Sequence, residues 1–179
     1  MKNNEQGLVV WLTGLSGSGK TTLASKLVEY LQSRQIECEH LDGDILRQSL
    51  TADLGFSPEA RDKNIDLAGK LARESAEQGK VVVASFITPY LSQRQKIRRE
   101  INNFIEVYLN CPLAECERRD VKGLYKKARV GEIDCFTGVD DVYEPPLEPE
   151  IELKTDQFSA EECLEQVINY LADRKQLKL

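Results

Sequence analysis

The 179-residue sequence predicts a single α/β domain with a parallel β-sheet flanked by helices. Two observations favour this fold class. Short apolar runs of strand length alternate with longer segments of helical periodicity, and no internal repeat or linker divides the chain. The length also suits one ordinary domain, residues 1–179, with a core large enough to cover a sheet.

The strand candidates are short segments rich in apolar and β-branched residues, the types that strands favour. Five segments meet this description: residues 8–13, 36–41, 80–86, 104–110 and 150–154. In a parallel sheet the carboxyl ends of these strands share one edge, and ligands bind at that edge.

Residue types that start and stop helices mark the segments between the strands. A helical pattern follows the first strand from Thr22 to about Ser33. Ser57 before Pro58 is typical of an N-cap and a first helical residue, and Gly79 fits the end of that helix. Two capping boxes, in which Gln or Glu follows a serine by three positions, predict further helix starts: Ser92 with Gln95, and Ser159 with Glu162.

Composition and charge narrow the class of protein. The net charge of −6 argues against nucleic acid as the main partner. The apolar run at residues 8–12 is too short to span a bilayer or to form a signal-peptide core, so we expect a cytoplasmic protein without a membrane partner. The five cysteines form no Cys-x-x-Cys pair, and we expect reduced, mostly buried thiols.

The segment after the first strand has the sequence of a phosphate-binding loop. It matches G-x-x-x-x-G-K-[ST] with Gly14, Leu15, Ser16, Gly17, Ser18, Gly19, Lys20 and Thr21, and Thr22 continues into the helix. Backbone N–H groups of such a loop bind phosphate oxygens, and the helix N-terminus adds positive potential. We expect Lys20 to reach the β- and γ-phosphates of ATP and Thr21 to ligate Mg²⁺.

Two carboxylates follow the second strand, where an acceptor would meet the phosphate-binding loop. Asp42 is placed to orient an acceptor hydroxyl or to take its proton. Asp44 and Arg47 stand three positions apart on a short helix and therefore share a face. The alternative is a turn in which these aspartates only cap the helix.

Further acceptor candidates come from the next helix and from the third strand. Arg61 and Asn64 stand three apart and Phe56 precedes their helix, which supplies a guanidinium, an amide and an aromatic ring for a nucleotide-like anion. Phe56 fits equally well as a hydrophobic staple. Ile87 and Thr88 follow the third strand, where backbone groups and the Thr88 hydroxyl could meet the acceptor, or the segment is only a turn that ends the strand.

A basic segment begins a long stretch that breaks the strand–helix alternation. Residues 118–129 hold six basic residues and one acidic residue, and glycines and prolines continue to residue 149. We interpret this region, residues 119–149, as a mobile lid that closes over anionic ligands. A solvated surface connection is the simpler alternative.

Six ordered motifs together resemble the adenylylsulfate kinase (APS kinase) family over nearly the whole chain. They are Gly14 to Thr21; Leu41-Asp42-Gly43-Asp44 with Arg47; Leu54-Gly55-Phe56-Ser57 with Arg61 and Asn64; Phe86-Ile87-Thr88-Pro89-Tyr90; Arg119 to Tyr125; and Phe136-Thr137-Gly138-Val139-Asp140 with Tyr143 to Pro146. The resemblance implies a phosphate-binding-loop kinase fold with a lid, and Mg²⁺-dependent phosphorylation of the 3′-hydroxyl of adenosine 5′-phosphosulfate (APS) by ATP.

The resemblance also implies roles for individual residues and a homodimer. Asp42, Lys20 and Thr88 take the catalytic positions, Asp42 at the 3′-hydroxyl, and Arg119 faces the ATP base. Phe56 and Phe136 flank the substrate adenine, and Lys122 and Lys127 belong to the lid. The full implied set of substrate-binding residues is Asp42, Asp44, Arg47, Phe56, Arg61, Asn64, Ile87, Thr88, Lys122, Leu124, Lys127 and Phe136.

The sequence departs from the family pattern at two places. Thr88 replaces the usual serine of Phe-Ile-Ser-Pro, and we favour direct in-line transfer over a phosphorylated side chain there. Lys63-Asn64-Ile65-Asp66-Leu67 replaces Glu-Asn-Ile-Arg-Arg, so basic side chains near the acceptor are missing.

Two rival functions differ in what they require of the chain. One rival is another small-molecule kinase, acting on a sugar acid, a nucleoside or a shikimate-like alcohol. A neutral sugar would not need the arginines, the basic lid and the two rings. The other rival is a regulatory module that binds ATP or APS without turnover, and the intact Lys20, Thr21 and Asp42 weigh against it.

Overall fold

The computed structural model describes residues 7–49 and 58–174 and has a five-stranded parallel sheet in the order β2-β3-β1-β4-β5. The strands are β1 (Leu8–Thr13), β2 (Cys38–Asp42), β3 (Val81–Ser85), β4 (Phe104–Asn110) and β5 (Ile151–Lys154). All five strands were predicted from the sequence to within two residues at each end, and the fold class is confirmed.

Helices cover both faces of the sheet. They are α1 (Lys20–Ser33), α2 (Gly43–Ser49), α3 (Pro58–Glu77), α4 (Leu91–Glu100), α5 (Leu113–Arg119), α6 (Leu124–Arg129) and α7 (Ala160–Asp173). In the parts of the chain that are described, none of these helices combines the length and apolar character needed to cross a bilayer.

The predicted helix boundaries had mixed outcomes. Ser159 caps α7 through the expected reciprocal bonds with Glu162. The prediction that Ser92 caps a helix was wrong, because α4 begins at Leu91 and its N-cap is Tyr90, two residues before Ser92. The Gln93 side chain accepts a hydrogen bond from the Tyr90 backbone, so the polar residue three positions after the cap is Gln93 and not Gln95. The proposed cap Ser57 lies outside the described residues.

The central strand β1 is buried along its whole length and separates two apolar layers. Leu8, Val10 and Leu12 pack in the layer that includes α1 and α7. Val9 and Trp11 pack in the layer that includes α3 and α4. Burying side chains of this size stabilises the fold by roughly 1.5–3 kcal/mol each, so β1 is a rigid base for the loop that follows it.

The strand order places the ends of β1, β2 and β3 side by side. Strand β1 lies at the centre of the sheet, with β2 and β3 on one side and β4 and β5 on the other. The chain builds the first side and then crosses over β1 to build the second, so the order of the strands reverses at β1. The crevice at such a switch point is the usual ligand site of an open α/β sheet. The sequence predicted the loop after β1, Asp42 and the segment after β3 to meet at this edge, and they do so.

Candidate active site

The loop after β1 has the backbone geometry that phosphate binding requires. Gly14 and Gly17 have φ angles of 152° and 77°, which side-chain-bearing residues rarely adopt. A Cβ added to Gly14 would lie 2.7 Å from the Leu109 carbonyl oxygen, so the loop is also too closely packed for a larger residue. The loop therefore curls over the N-terminus of α1, as its sequence predicted.

Lys20 is held over this loop by backbone oxygens. Its ammonium donates hydrogen bonds to the carbonyls of Gly14 at 2.9 Å and Leu15 at 2.7 Å. Burial lowers the pKa of Lys20 to about 8, with opposing contributions from Asp44 and Asp42 that are smaller. Lys20 is thus partly desolvated in advance, and phosphate oxygens can replace the two carbonyls as its partners.

Asp42 is buried at the end of β2 and all its oxygens are engaged. Oδ2 accepts hydrogen bonds from the hydroxyls of Thr21 at 3.0 Å and Ser85 at 2.8 Å, and Oδ1 accepts one from the Asp44 backbone at 2.9 Å. Burial alone would raise the pKa of Asp42, but these hydrogen bonds together lower it below the ordinary value. Asp42 is therefore a fixed anion at neutral pH. It is better suited to orienting an acceptor hydroxyl than to removing the hydroxyl's proton before transfer begins.

Two arginines and an amide from α2 and α3 line the cavity beside Asp42. Burial lowers the pKa of Arg47, and the nearby charge of Arg61 lowers it further. Arg61 donates to the Thr137 hydroxyl at 2.7 Å and forms an ion pair with Asp141 at 2.5 Å. Asn64 is buried in the same wall. Two adjacent guanidinium groups repel each other, so this wall favours a multiply charged anion.

Aromatic rings form part of the cavity wall. Phe136 lies edge-to-face against Tyr125, with ring centroids 5.0 Å apart, and both rings are buried. Phe86 also lines the cavity. Phe136 thus lines the cavity, and its place beside the substrate adenine stays a prediction, while Phe56, the second predicted ring, lies outside the described residues.

Thr88 lines the cavity with a strained backbone and an occupied hydroxyl. Its φ of 44° is unusual for a β-branched residue, and its side chain is buried. The indole Nε1–H of Trp11 donates to its hydroxyl oxygen at 2.9 Å. The hydroxyl is therefore tied to the core of the sheet, and its catalytic use stays a prediction. The neighbouring Ile87 also lines the cavity, and its carbonyl accepts from Thr13 at 2.7 Å.

The basic residues of the predicted lid differ in how close they lie to the cavity. Arg119 lies beside the phosphate-binding loop, where it donates to the carbonyls of Gly17 at 3.3 Å and Thr155 at 2.7 Å. Lys122 pairs with Asp44 at the cavity mouth, and Leu124 also lines the cavity. Lys127 is exposed and does not line the cavity, so the structure does not bring it to the site.

One cavity of about 710 Å³ joins the predicted nucleotide and acceptor groups. Its lining includes these predicted residues: Ser16, Gly17, Gly19, Lys20, Thr21, Thr22, Asp42, Asp44, Arg47, Arg61, Asn64, Ile87, Thr88, Arg119, Lys122, Leu124 and Phe136. Of the remaining loop residues, Gly14 offers its carbonyl to Lys20, Ser18 is buried, and Leu15 lines a second, open cavity of about 530 Å³.

Sequence reasoning missed residues that act on the predicted ones. Ser85 donates to Asp42, and Asp141 binds both Arg61 and the Tyr90 hydroxyl. Ser85 ends a strand beside Asp42 in the register of β2 and β3, a pairing that the sequence alone does not reveal. Asp141 follows a recognised motif but lies 80 positions from Arg61.

The donors beside the loop fit Mg²⁺. This ion prefers hard oxygen ligands and usually keeps several waters while bridging phosphates. The Thr21 hydroxyl donates its proton to Asp42, which leaves its oxygen lone pairs available to a cation. The Thr21 oxygen is thus chemically suited to Mg²⁺, and its role as a ligand stays a prediction.

Comparison with known proteins gives consistent matches. A family model described as adenylylsulphate kinase matches residues 6–154. An adenylyl-sulfate kinase of Halothermothrix orenii is 49% identical over 176 residues, which cover 98% of this chain and 95% of that protein. An adenylyl-sulfate kinase of Rippkaea orientalis is 52% identical over 163 residues, which cover 91% and 90% of the two chains.

A solved structure resembles the fold closely. The APS kinase of Mycobacterium tuberculosis in complex with AMPPNP and APS has a TM-score of 0.89 and 42% sequence identity to this chain. The match covers 93% of this chain and 98% of that one.

Proposed function

We propose, since this chain belongs to the adenylylsulfate kinase family, that it transfers the γ-phosphoryl group of ATP to the 3′-hydroxyl of APS, giving the activated sulfate donor PAPS for sulfate assimilation. The observation that carries this proposal is the shared cavity: Lys20 of the phosphate-binding loop, the Asp42 carboxylate and the guanidinium groups of Arg47 and Arg61 line the same space. A phosphoryl donor and an anionic acceptor can therefore meet there.

The donor side would hold ATP with backbone and helix groups. The loop N–H groups and the N-terminus of α1 attract phosphate oxygens. Lys20 would exchange its bonds to Gly14 and Leu15 for bonds to the β- and γ-phosphates. Arg119, which donates to the Gly17 carbonyl of the loop, would face the ATP base. Thr21 would hold Mg²⁺, which supplies charge neutralisation at the phosphates when bound.

The acceptor side would select a sulfated nucleotide. Arg47 and Arg61 would bind the phosphosulfate, because planar guanidinium groups match its oxygens and its charge offsets their repulsion. Phe136 would stack on the adenine, and Asn64 would bind the ribose or phosphosulfate. Such a set of charges disfavours neutral sugar acceptors, which supports APS over another small alcohol.

Asp42 would orient the acceptor hydroxyl during transfer. Phosphoryl transfer has a loose transition state in most analyses, so alignment of the attacking oxygen contributes more than early proton removal. A carboxylate held by two hydroxyls and the backbone has little freedom to move. Asp42 would accept a hydrogen bond from the 3′-hydroxyl and take its proton as the new bond forms.

Four further properties remain predictions. We expect one domain over residues 1–179, with residues 119–149 closing as a lid over the two anions. The Lys122–Asp44 pair at the cavity mouth supports such closure, because Lys122 belongs to the lid segment and Asp44 to the acceptor side. We also expect a homodimer and a cytoplasmic location.

A substrate panel tests the function. Purified protein is incubated with γ-labelled ATP and Mg²⁺, and with APS, gluconate, shikimate or adenosine as the acceptor. We expect rapid label transfer to APS alone. Strong turnover of gluconate, shikimate or adenosine and none of APS would favour another small-molecule kinase. Binding of ATP or APS without any turnover would favour a regulatory module.

The Asp42→Ala variant tests the catalytic assignment in the same assay. We expect ATP binding within about threefold of the unsubstituted protein and a loss of kcat of roughly a hundredfold or more, because only the transfer step needs the carboxylate. Ser33→Ala, on the exposed end of α1, is the matched control and should leave kcat unchanged. Unchanged turnover by Asp42→Ala would remove Asp42 from the mechanism.

A further inference from the structure

His40 is the one histidine of the sequence, and it lies two residues before Asp42 on β2. Residues two apart on a strand point to the same side of the sheet. The His40 side chain is half-buried, and its Nε2 atom lies 3.2 Å from the Ser85 hydroxyl oxygen. The same hydroxyl lies 2.8 Å from Asp42 Oδ2. His40, Ser85 and Asp42 therefore form one chain of hydrogen bonds that ends at the candidate catalytic carboxylate.

The direction of this chain follows from the number of protons. A serine hydroxyl has one proton to donate and can accept in return, while an ionised carboxylate can only accept. The Ser85 proton must therefore go to Asp42. The hydrogen between His40 and Ser85 then comes from the imidazole, so His40 carries its proton on Nε2.

The surroundings favour a neutral imidazole that donates. Burial lowers the pKa of His40 below its ordinary value, and the Asp42 charge opposes this only in part. The pairing of β2 with β3 sets Asp42 opposite Ser85 and His40 opposite Val83, so the strands fix the positions of all three polar groups. Successive hydrogen bonds in a low-dielectric site strengthen one another.

We propose that His40 is a positioning residue that acts through Ser85 to hold the Asp42 carboxylate in its reactive orientation. Without the His40 donor, the Ser85 hydroxyl can rotate toward other acceptors, and Asp42 Oδ2 keeps only Thr21 as a fixed side-chain partner. The catalytic consequence rests on the proposed kinase function, whereas the hydrogen-bond chain itself does not.

Nuclear magnetic resonance of the imidazole nitrogens tests the chain without any activity measurement. Protein labelled with ¹⁵N-histidine gives a single imidazole, because the sequence has one histidine. At pH 8 we expect nitrogen shifts typical of the Nε2–H tautomer, and we expect Ser85→Ala to move the Nε2 shift. A dominant Nδ1–H tautomer, or an Nε2 shift that Ser85→Ala leaves unchanged, would overturn the proposal.

A double-mutant cycle tests the effect on catalysis. We expect His40→Phe to lower kcat by about two- to tenfold, the value of one ordinary hydrogen bond, with the KM values for ATP and APS nearly unchanged. His40→Gln keeps an N–H at the end of a side chain of similar reach and should restore most of kcat. In a Ser85→Ala background, His40→Phe should cause no further loss, because the link is already broken.

The outcomes separate this proposal from the proposed function. Equal losses from His40→Phe in both backgrounds would show that His40 does not act through Ser85 and would overturn the proposal. If the unsubstituted protein fails to phosphorylate APS, the proposed function is wrong, and the nitrogen shifts still decide whether the hydrogen-bond chain exists. If His40→Phe does not fold, the test rests on the imidazole nitrogen shifts and on the kcat of His40→Gln.

Discussion

Replacing Thr88 with valine separates its structural role from any chemical one. Valine has nearly the same shape and the same β-branch, so the strain at φ 44° and the packing stay unchanged. What is lost is the hydroxyl that accepts the Trp11 Nε1–H at 2.9 Å. Because both side chains are buried, the indole N–H would have no water to replace this partner.

The expected cost is that of a buried, unsatisfied donor. Such a group destabilises a protein by about 1–3 kcal/mol. For a domain of this size each kcal/mol lowers Tm by roughly 2–4 °C, so the Tm of Thr88→Val should be about 2–12 °C below that of the unsubstituted protein. Urea unfolding followed by the fluorescence of Trp11, the one tryptophan of the sequence, measures the free energy directly.

Activity provides the second half of this test. If phosphoryl transfer is direct and in-line, Thr88→Val should keep kcat within about threefold, because no intermediate forms on the side chain. Thr88→Ser is the control, since it keeps the hydroxyl and should retain both stability and activity. Unchanged stability of Thr88→Val would refute the Trp11 hydrogen bond, and a loss of kcat of roughly a hundredfold or more would show that the hydroxyl takes part in the chemistry.

Two other predictions concern ATP binding and acceptor binding. Burial sets the pKa of Lys20 in the free protein to about 8, and bound phosphates would raise it, so ATP affinity should fall as pH rises through 8 and be about tenfold weaker at pH 9 than at pH 7. Arginine stays charged over this pH range, so the ATP affinity of Lys20→Arg, measured by calorimetry, should not change between pH 7 and pH 9. An ATP affinity of the unsubstituted protein that also does not change with pH would contradict the lowered pKa of Lys20. Asp141→Ala removes the carboxylate that Arg61 and Tyr90 share. It should raise the KM for APS about fivefold or more and leave the KM for ATP unchanged. Equal changes in the two KM values would refute the role of Asp141 in acceptor binding.

The parts of the fold set by local pattern were predictable from the sequence. Strands such as β1 are continuous apolar runs, and the phosphate-binding loop is recognised by glycines that few other residues could replace. The start of α4 was less predictable, because Tyr90 at the cap has no strong preference for that position and Ser92 two residues later does.

The candidate site was predictable where one segment supplies the group and less so where partners come from distant segments. Asp42 follows a strand and Lys20 belongs to a motif, so each could be assigned from its neighbours. The contact between Arg61 and Asp141 joins residues 80 positions apart, and the contact between Ser85 and Asp42 depends on strand register. A single sequence carries no local signal for such pairings, although they control the charge and orientation of the predicted residues.

A crystal structure with a non-hydrolysable ATP analogue and APS bound together tests the central claim most directly. The proposed function predicts the 3′-hydroxyl of APS within hydrogen-bond distance of Asp42 and in line with the γ-phosphate, with Arg61 on the phosphosulfate. A structure in which Asp42 points away from the ribose and Arg61 contacts no ligand would contradict it.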